Sequence, residues 1–428
     1  MKLVLLAAAL LVMLIGTPIG YLLGIVSVGG LLELGGPAFL RIVAARFYSG
    51  VENFLLIAIP FFILTAELMN RAGLTQRLVR FVGTLVGHYP GGLSHVNIGA
   101  NIIFAGMSGA AVTDAVALGK ILIPEMKREG YSAPYAAAVT AAAAIVGPII
   151  PPSVTMIVYA YITQMSVGAL FAAGVVPGLT MGALLLVTSA ILAVRRGFPR
   201  RERRASAAEV WQATRDALLA LVIPLIILGS ILGGVATVTE SAAVAVGYTF
   251  LVGMFVLRTL SWRDLIPAAV DTAKLTGVIF LLLGTAHIFG WYLTRLGVPR
   301  LVSESIFGGT MGPVATLLLV NAFLLVIGMF MDILPAVLIL TPVLAPAAVA
   351  AGIDPLHFAL IMLVNLNIGM ITPPFGMTLL TSARIAETSY DRTVVAVWPF
   401  LLAELATLLL ITFIPALTLG IPGWLGFH

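Results

Sequence analysis

Two octapeptides, GPIIPPSV at Gly147 to Val154 and GMITPPFG at Gly369 to Gly376, interrupt strongly apolar stretches with the same Gly-x-x-x-Pro-Pro pattern. A shift of 222 residues superposes them without a gap. The same shift pairs Gly106 with Gly328, Pro124 with Pro346, Gly130 with Gly352 and Pro177 with Pro399. Unrelated segments of this composition would share about one such coincidence of helix breakers at a given offset, so the register marks an internal duplication. Thr17 with Thr239 and Arg41 with Arg263 extend it toward the N-terminus.

The medium around the repeat follows from composition. Of 428 residues, 61% are hydrophobic and 10% charged, with a mean hydropathy of +1.12, whereas soluble domains carry about 25% charged residues. Hydrocarbon offers no hydrogen-bond partners, so spanning segments must be helices or closed barrels. Apolar runs of about 20 residues without two-residue alternation select helices. The chain reads as an all-α polytopic membrane protein. Lys2 and the apolar run Leu3 to Ile15 resemble a signal peptide, but apolar character continues to Leu32 without a cleavage site, which makes the run a retained first helix. The absence of cysteine excludes disulfides and thiol ligands.

Charge sets the expected orientation. The long polar run from Arg195 to Asp216 holds Arg195, Arg196, Arg200, Arg201, Arg203, Arg204 and Arg215. It reads as a cytoplasmic linker, residues 195–216, lying against anionic lipid rather than nucleic acid and dividing the chain into halves 1–194 and 217–428. In the first half two spans precede Arg41, a third lies near 51–70, and a hairpin about 92–127, a broken helix about 135–163 and a span near 168–194 follow. In the second, spans near 217–235, 241–257 and 273–293 precede a hairpin about 303–350, a broken helix about 355–388 and a last span near 394–418. All but five of the 23 Lys and Arg residues then face the cytoplasm, the exceptions being Lys2, Arg41, Arg46, Arg295 and Arg300. Both termini fall outside. Each half crosses about five times, an odd number, so the second repeat is inverted relative to the first, an architecture of secondary transporters. Segments 41–50 and 258–272 read as amphipathic arms bracing a fixed scaffold against a moving part.

A Gly-x-x-x-Pro-Pro break in a membrane helix removes two amide donors and unwinds the backbone. The freed carbonyls need a cation, water or another protein segment. Paired breaks therefore read as cation sites near the midplane, against the plainer reading of two proline kinks. Before each break lies a segment that reads as a re-entrant tip, Gly106 to Asp114 and Gly328 to Asp332. Asp332, with no basic neighbour in its run, is expected to ligate Na⁺ or to cap the helix from Ile333, or both. Ser108, Thr113 and Asp114 form the polar set of the first tip, with Asp114 as ligand or as a helix-start charge. Glu240 reads as an N-terminal helix charge, Glu52, Asn53 and Glu67 as snorkelling residues, and His287 and Asn321 as packing or interhelical hydrogen-bonding groups. No phosphate-binding loop or His-Glu-x-x-His motif is present in the sequence, so neither ATP hydrolysis nor metalloenzyme chemistry is expected.

The run GMSGAAVTDAVALGKILIPEMKREGYSAPYAAAVTAAAAIVGPIIPPS, the segment ATVTESAAVAVGY, and GMFMDILPAVLILTPVLAPAAVAAGIDPLHFALIMLVNLNIGMITPPFGMTLL occur in this order along the chain. Through them the chain resembles, over almost its whole length, the large membrane subunit of TRAP (tripartite ATP-independent periplasmic) transporters. The resemblance implies the ion-transporter fold with elevator-type scaffold and transport domains, in the bacterial inner membrane. It implies Na⁺-coupled import of an organic acid, carboxylate or sialic-acid-like, with two or more coupling ions. It implies two partners, a small four-helix membrane subunit and a periplasmic substrate-binding protein. Because the chain starts at its own first helix, the small subunit is expected to be a separate chain. A first Na⁺ site maps to Ser108, Gly109, Gly147, Pro151 and Ser153, and a second to Gly328, Asp332, Gly369, Thr372 and Thr378. Substrate maps to Ser108, Asn365 and Thr372. Many members carry a Ser-Gly-Ser-Ser-like first tip, whereas this chain reads Ser108-Gly-Ala-Ala111 and shifts weight to carbonyls and Ser153. Two alternatives stand beside this reading: a self-sufficient Na⁺/organic anion symporter of the same fold, and a gated ion channel.

Overall fold

A computed structural model describes residues 17–199, 203–302, 304 and 313–427, the side chains of 106–108 and 313 excepted. The run Leu3 to Ile15, Arg200 and Arg201 of the linker, and the start of the second hairpin lie outside the described residues. All regular elements among the described residues are helical. The first half runs α1 (Ile19–Gly35), α2 (Leu40–Val51), α3 (Ala58–Arg71), α4 (Leu74–Val86), α5 (Gly92–Ser108), α6 (Ala111–Arg128), α7 (Ala133–Ala144), α8 (Val154–Thr163) and α9 (Val167–Arg196). The second runs α10 (Ala207–Leu232), α11 (Val238–Leu251), α12 (Trp262–Arg295), α13 (Val298–Val302), α14 (Pro313–Phe330), α15 (Ile333–Ala350), α16 (Pro355–Gly369), α17 (Met377–Ile385), α18 (Tyr390–Phe413) and α19 (Ala416–Trp424). Among the described residues, 8 helical segments are long and apolar enough to cross a membrane.

Local chemistry explains many of the boundaries. The Ser/Thr-x-x-acid pattern starts three helices with reciprocal caps: Ser206 with Glu209 on α10, Thr237 with Glu240 on α11, and Ser261 with Asp264 on α12. Helix α9 stops at Gly197, whose φ of 61° is left-handed, with Arg195 and Arg196 in the last turn beside the exposed carbonyls.

Three elements differ from the sequence expectation. Segment 258–272 is not a separate arm, because the Ser261 cap starts a helix that continues unbroken for 34 residues. Helix α4 was not anticipated; Leu74, Leu78 and Val82 recur on one face and are buried. The last apolar run divides at Ile414 and Pro415 into α18 and α19, since Pro415 cannot donate to the helical ladder.

Helices of the two halves interleave. Helices α1 to α4 pack with α10 to α12, and α5 to α9 pack with α14 to α19. Glycines let α1 and α2 lie close on α12: a Cβ at Gly30 would collide with the Tyr292 ring, and one at Gly50 would stand 2.7 Å from His287. The core of the second group is formed by α7 and α16, the first arms of the interrupted helices. Tyr135 to Ala144 and His357 to Gly369 are buried at every position, which alanine-rich α7 permits by allowing close approach on all sides.

Candidate functional site

Each break is closed against its own hairpin tip. In the first half α5 and α6 turn at Gly109, φ 61°, and Ala110. A Cβ at Gly109 would stand 2.9 Å from Val154 N and 3.1 Å from the Pro152 carbonyl oxygen, so only glycine admits this approach. Gly147 likewise makes room for the Asp114 carboxylate, which lies where its Cβ would be. Pro151 and Pro152 lie in the interruption between α7 and α8. Ser153 restarts the helix: its Oγ donates to the Pro148 carbonyl at 2.6 Å and accepts from Met156 N at 3.3 Å, with Thr155 Oγ1 at 2.9 Å.

The second break is built differently. Gly328 and Gly369 meet backbone to backbone; a Cβ on Gly369 would stand 2.5 Å from Gly328 Cα. Asp332 Oδ1 accepts from Ile333 N at 2.6 Å and caps α15. Phe375 holds the position equivalent to Ser153 and supplies no cap. Instead Gly376, φ 48°, opens α17 and donates its amide to the Met329 carbonyl at 3.3 Å, while Tyr390 Oη donates to the Phe375 carbonyl at 2.7 Å. Thr372 Oγ1 is spent on the Ile368 carbonyl at 2.8 Å. Thr378 Oγ1 is buried with no hydrogen-bond partner among the described residues, a hydroxyl available to a cation.

The two tips face one cavity of about 230 Å³. Gly109 and Thr113 line it from the first tip, Asp332 from the second, Thr155 from beyond the first break, and Glu67 of α3 and Leu282 of α12 from the opposite wall. Of the residues assigned from sequence, the cavity brings together Gly109 and Asp332. Asn365 and Thr372 do not line it: Asn365 is buried in α16 and donates to Asn321 Oδ1 at 2.7 Å, and Asn321 in turn donates to Thr412 at 3.0 Å. The side chain of Ser108 lies outside the described residues.

Some polar groups escaped the sequence reading. Thr155, two residues beyond Ser153, and Asn70, one turn beyond Glu67, carried only position as a signal. Glu67 was read as snorkelling; it pairs with Arg71 at 2.7 Å, and Arg71 also reaches Asp271 of α12 at 2.9 Å. Glu404 of α18 is fully buried, and among the described residues neither carboxylate oxygen meets a hydrogen-bond partner. Its helical run is apolar enough to hide it from any motif search. Among the described residues no group of three His, Cys, Asp or Glu side chains is arranged to hold a metal ion. Any cation held here would rest mainly on carbonyl and hydroxyl oxygens, the donors hard monovalent ions accept.

Apolar spanning helices, two interrupted helices and two tips meeting at one cavity define an integral membrane protein built as transporters are. Residues 6–417 match the family described as tripartite ATP-independent periplasmic transporter, DctM component, and the chain belongs to that family. A sialic acid TRAP transporter large permease protein, SiaM, of Vibrio cholerae is 38% identical over 95% of each chain. A C4-dicarboxylate TRAP transporter large permease protein, DctM, of Rhodobacter capsulatus is 34% identical over 97% of each. The sialic acid TRAP transporter permease protein SiaT of Haemophilus influenzae is 36% identical over 97% of this chain and 67% of that protein. These relatives are permeases, not enzymes. The YdaH transporter of Alcanivorax borkumensis has the same fold, with a TM-score of 0.56 and 17% identity over 93% of this chain and 90% of that one.

Proposed function

We propose that this chain is the large permease subunit of a Na⁺-driven importer of an organic acid in the bacterial inner membrane. A small membrane subunit accompanies it, and a periplasmic binding protein delivers the substrate. The observation that carries this reading is the meeting of both tips, with Asp332, at one cavity bounded on its far side by α3 and α12. Substrate binds in that cavity, and coupling ions bind behind it: one between Gly109, Gly147 and Ser153, another between Gly328, Gly369, Asp332 and Thr378. Helices α1 to α4 with α10 to α12 form the scaffold. The hairpins and interrupted helices move against it as one body and carry the cavity across the membrane, with both termini outside. Relatives named for sialic acid and C4-dicarboxylates support the substrate class. Each Na⁺ crossing 100 mV contributes about 2.3 kcal/mol before its concentration gradient is counted.

In proteoliposomes holding this chain, its small subunit and its binding protein, uptake of a cognate acid is expected only with an inward Na⁺ gradient. Uptake by this chain alone would instead identify a self-sufficient symporter, and unsaturable conductance a channel.

A further inference from the structure

A second cavity, of about 270 Å³, lies next along α12, lined by Leu283 to Thr294 where the tip cavity is lined by Leu275 to Leu282. Its polar side is formed by Arg46 of α2 with His287 and Trp291 of α12, and its apolar side includes Leu283, Leu338 and Pro342. The Arg46 guanidinium stands 5.3 Å from the Trp291 ring centroid, and Arg295 stands 5.1 Å from the same ring. Neither arginine is in an ion pair with any carboxylate among the described residues. Two guanidinium groups thus flank one indole beside a half-apolar cavity, and an arriving anion would relieve their repulsion. The end of the molecule matters too. Arg71 and Asp271 pair near the start of α12, and Arg77 and Asp216 pair beside the linker, so Thr294 and Arg295 lie across the membrane from the Arg-rich linker, about 35 Å along α12 from Asp271. On that side positive residues are disfavoured by topology, so a guanidinium retained inside a cavity needs another cause.

We propose that this cavity is an outer anion site in which the carboxylate of a small organic acid lodges on Arg46 while its carbon skeleton lies on Leu283, Leu338 and Pro342, before the acid reaches the tip cavity. The proposal rests on the organic-acid reading above. Arg46 is suited to the role because a planar guanidinium held beside an indole offers a fork of donors that matches a carboxylate. The site also sits at a seam between the two helical groups: Tyr161 of α8, which lines the cavity, donates to the Ser49 carbonyl of α2 at 3.0 Å. A ligand bound there therefore touches both groups.

The test uses the whole chain in nanodiscs for binding and the three-component transporter in proteoliposomes for uptake. Succinate and sialic acid are the probes, with succinamide and sialic acid methyl ester as uncharged counterparts. Arg46→Gln is expected to weaken acid binding and raise the KM for uptake by about 10- to 100-fold, with kcat and the response to uncharged counterparts unchanged. Arg46→Lys, which keeps the charge and loses the fork, is expected to fall between, and it decides the matter should Arg46→Gln fail to fold. Acid binding that is the same in wild type and variants overturns the outer site and leaves the transport reading standing. Arg46-dependent binding without Na⁺-driven uptake overturns the transport reading and leaves the site. An equal loss for acids and uncharged counterparts, or no binding of either acid by the wild type, overturns the site.

Discussion

At Asp332 one carboxylate oxygen accepts from Ile333 N at 2.6 Å, and the residue also lines the cavity between the tips. Capping and cation binding are therefore compatible in one side chain, and a substitution separates them. Asparagine caps a helix nearly as well as aspartate but carries no charge. Asp332→Asn is expected to leave expression and thermal stability within about 0.5 kcal/mol of wild type while raising the Na⁺ concentration for half-maximal uptake by about tenfold or more. A sodium titration of uptake checks this, and an unchanged half-maximal concentration confines Asp332 to capping. Gly328 and Gly369 were legible through the 222-residue register and Gly109 through the family resemblance, whereas that a Cβ at each would strike backbone is a fact of the fold. Asn365 was a weaker inference, since an apolar run gives no sign of which neighbour its amide will meet.

The two interrupted helices share a sequence pattern and differ in how the chain leaves the break. Helix α8 restarts on Ser153, whose hydroxyl both caps the helix and ties back to Pro148; α17 restarts on left-handed Gly376, held by Met329 and Tyr390. Ser153→Ala removes a cap and a buried hydrogen bond, so it is expected to cost about 1 to 2 kcal/mol and to weaken sodium activation. Ser166→Ala is the matched control, because Ser166 caps α9 by accepting from Ala169 N at 3.3 Å but stands outside the break. It should lower the melting temperature and leave the sodium titration where it was. A shift of equal size in both variants would assign Ser153 to helix stability alone. At this scale the sequence was informative at the helix breakers and at Glu240, read as an N-terminal helix charge and found in the cap of α11, whereas the Ser261 cap was passed over and its segment read as a separate arm. It was silent where an amphipathic run such as α4 lacked both the length of a span and a recognisable start.

Across the molecule, the seam between helices α1 to α4 with α10 to α12 and the remaining helices is crossed by the Tyr161 to Ser49 bond at 3.0 Å. The chain has no native cysteine, so paired cysteines placed at 49 and 161 report on that seam alone. Bridging them with a short bis-thiol reagent is expected to abolish uptake, with recovery after a cleavable bridge is reduced. Full uptake by the bridged protein would refute a moving body at this seam. Hydropathy and the Pro-Pro register determined by themselves that the chain is helical, membrane-embedded and interrupted twice, because those properties follow from burying apolar side chains and satisfying backbone groups segment by segment. Tertiary structure alone decided which residues share a cavity. Glu67, Thr155 and Asp332 converge from helices far apart in sequence, and Arg46 comes to stack on Trp291. Such meetings depend on how interleaved helices pack, and close approach at glycines, unlike hydropathy, has no signature within a single segment.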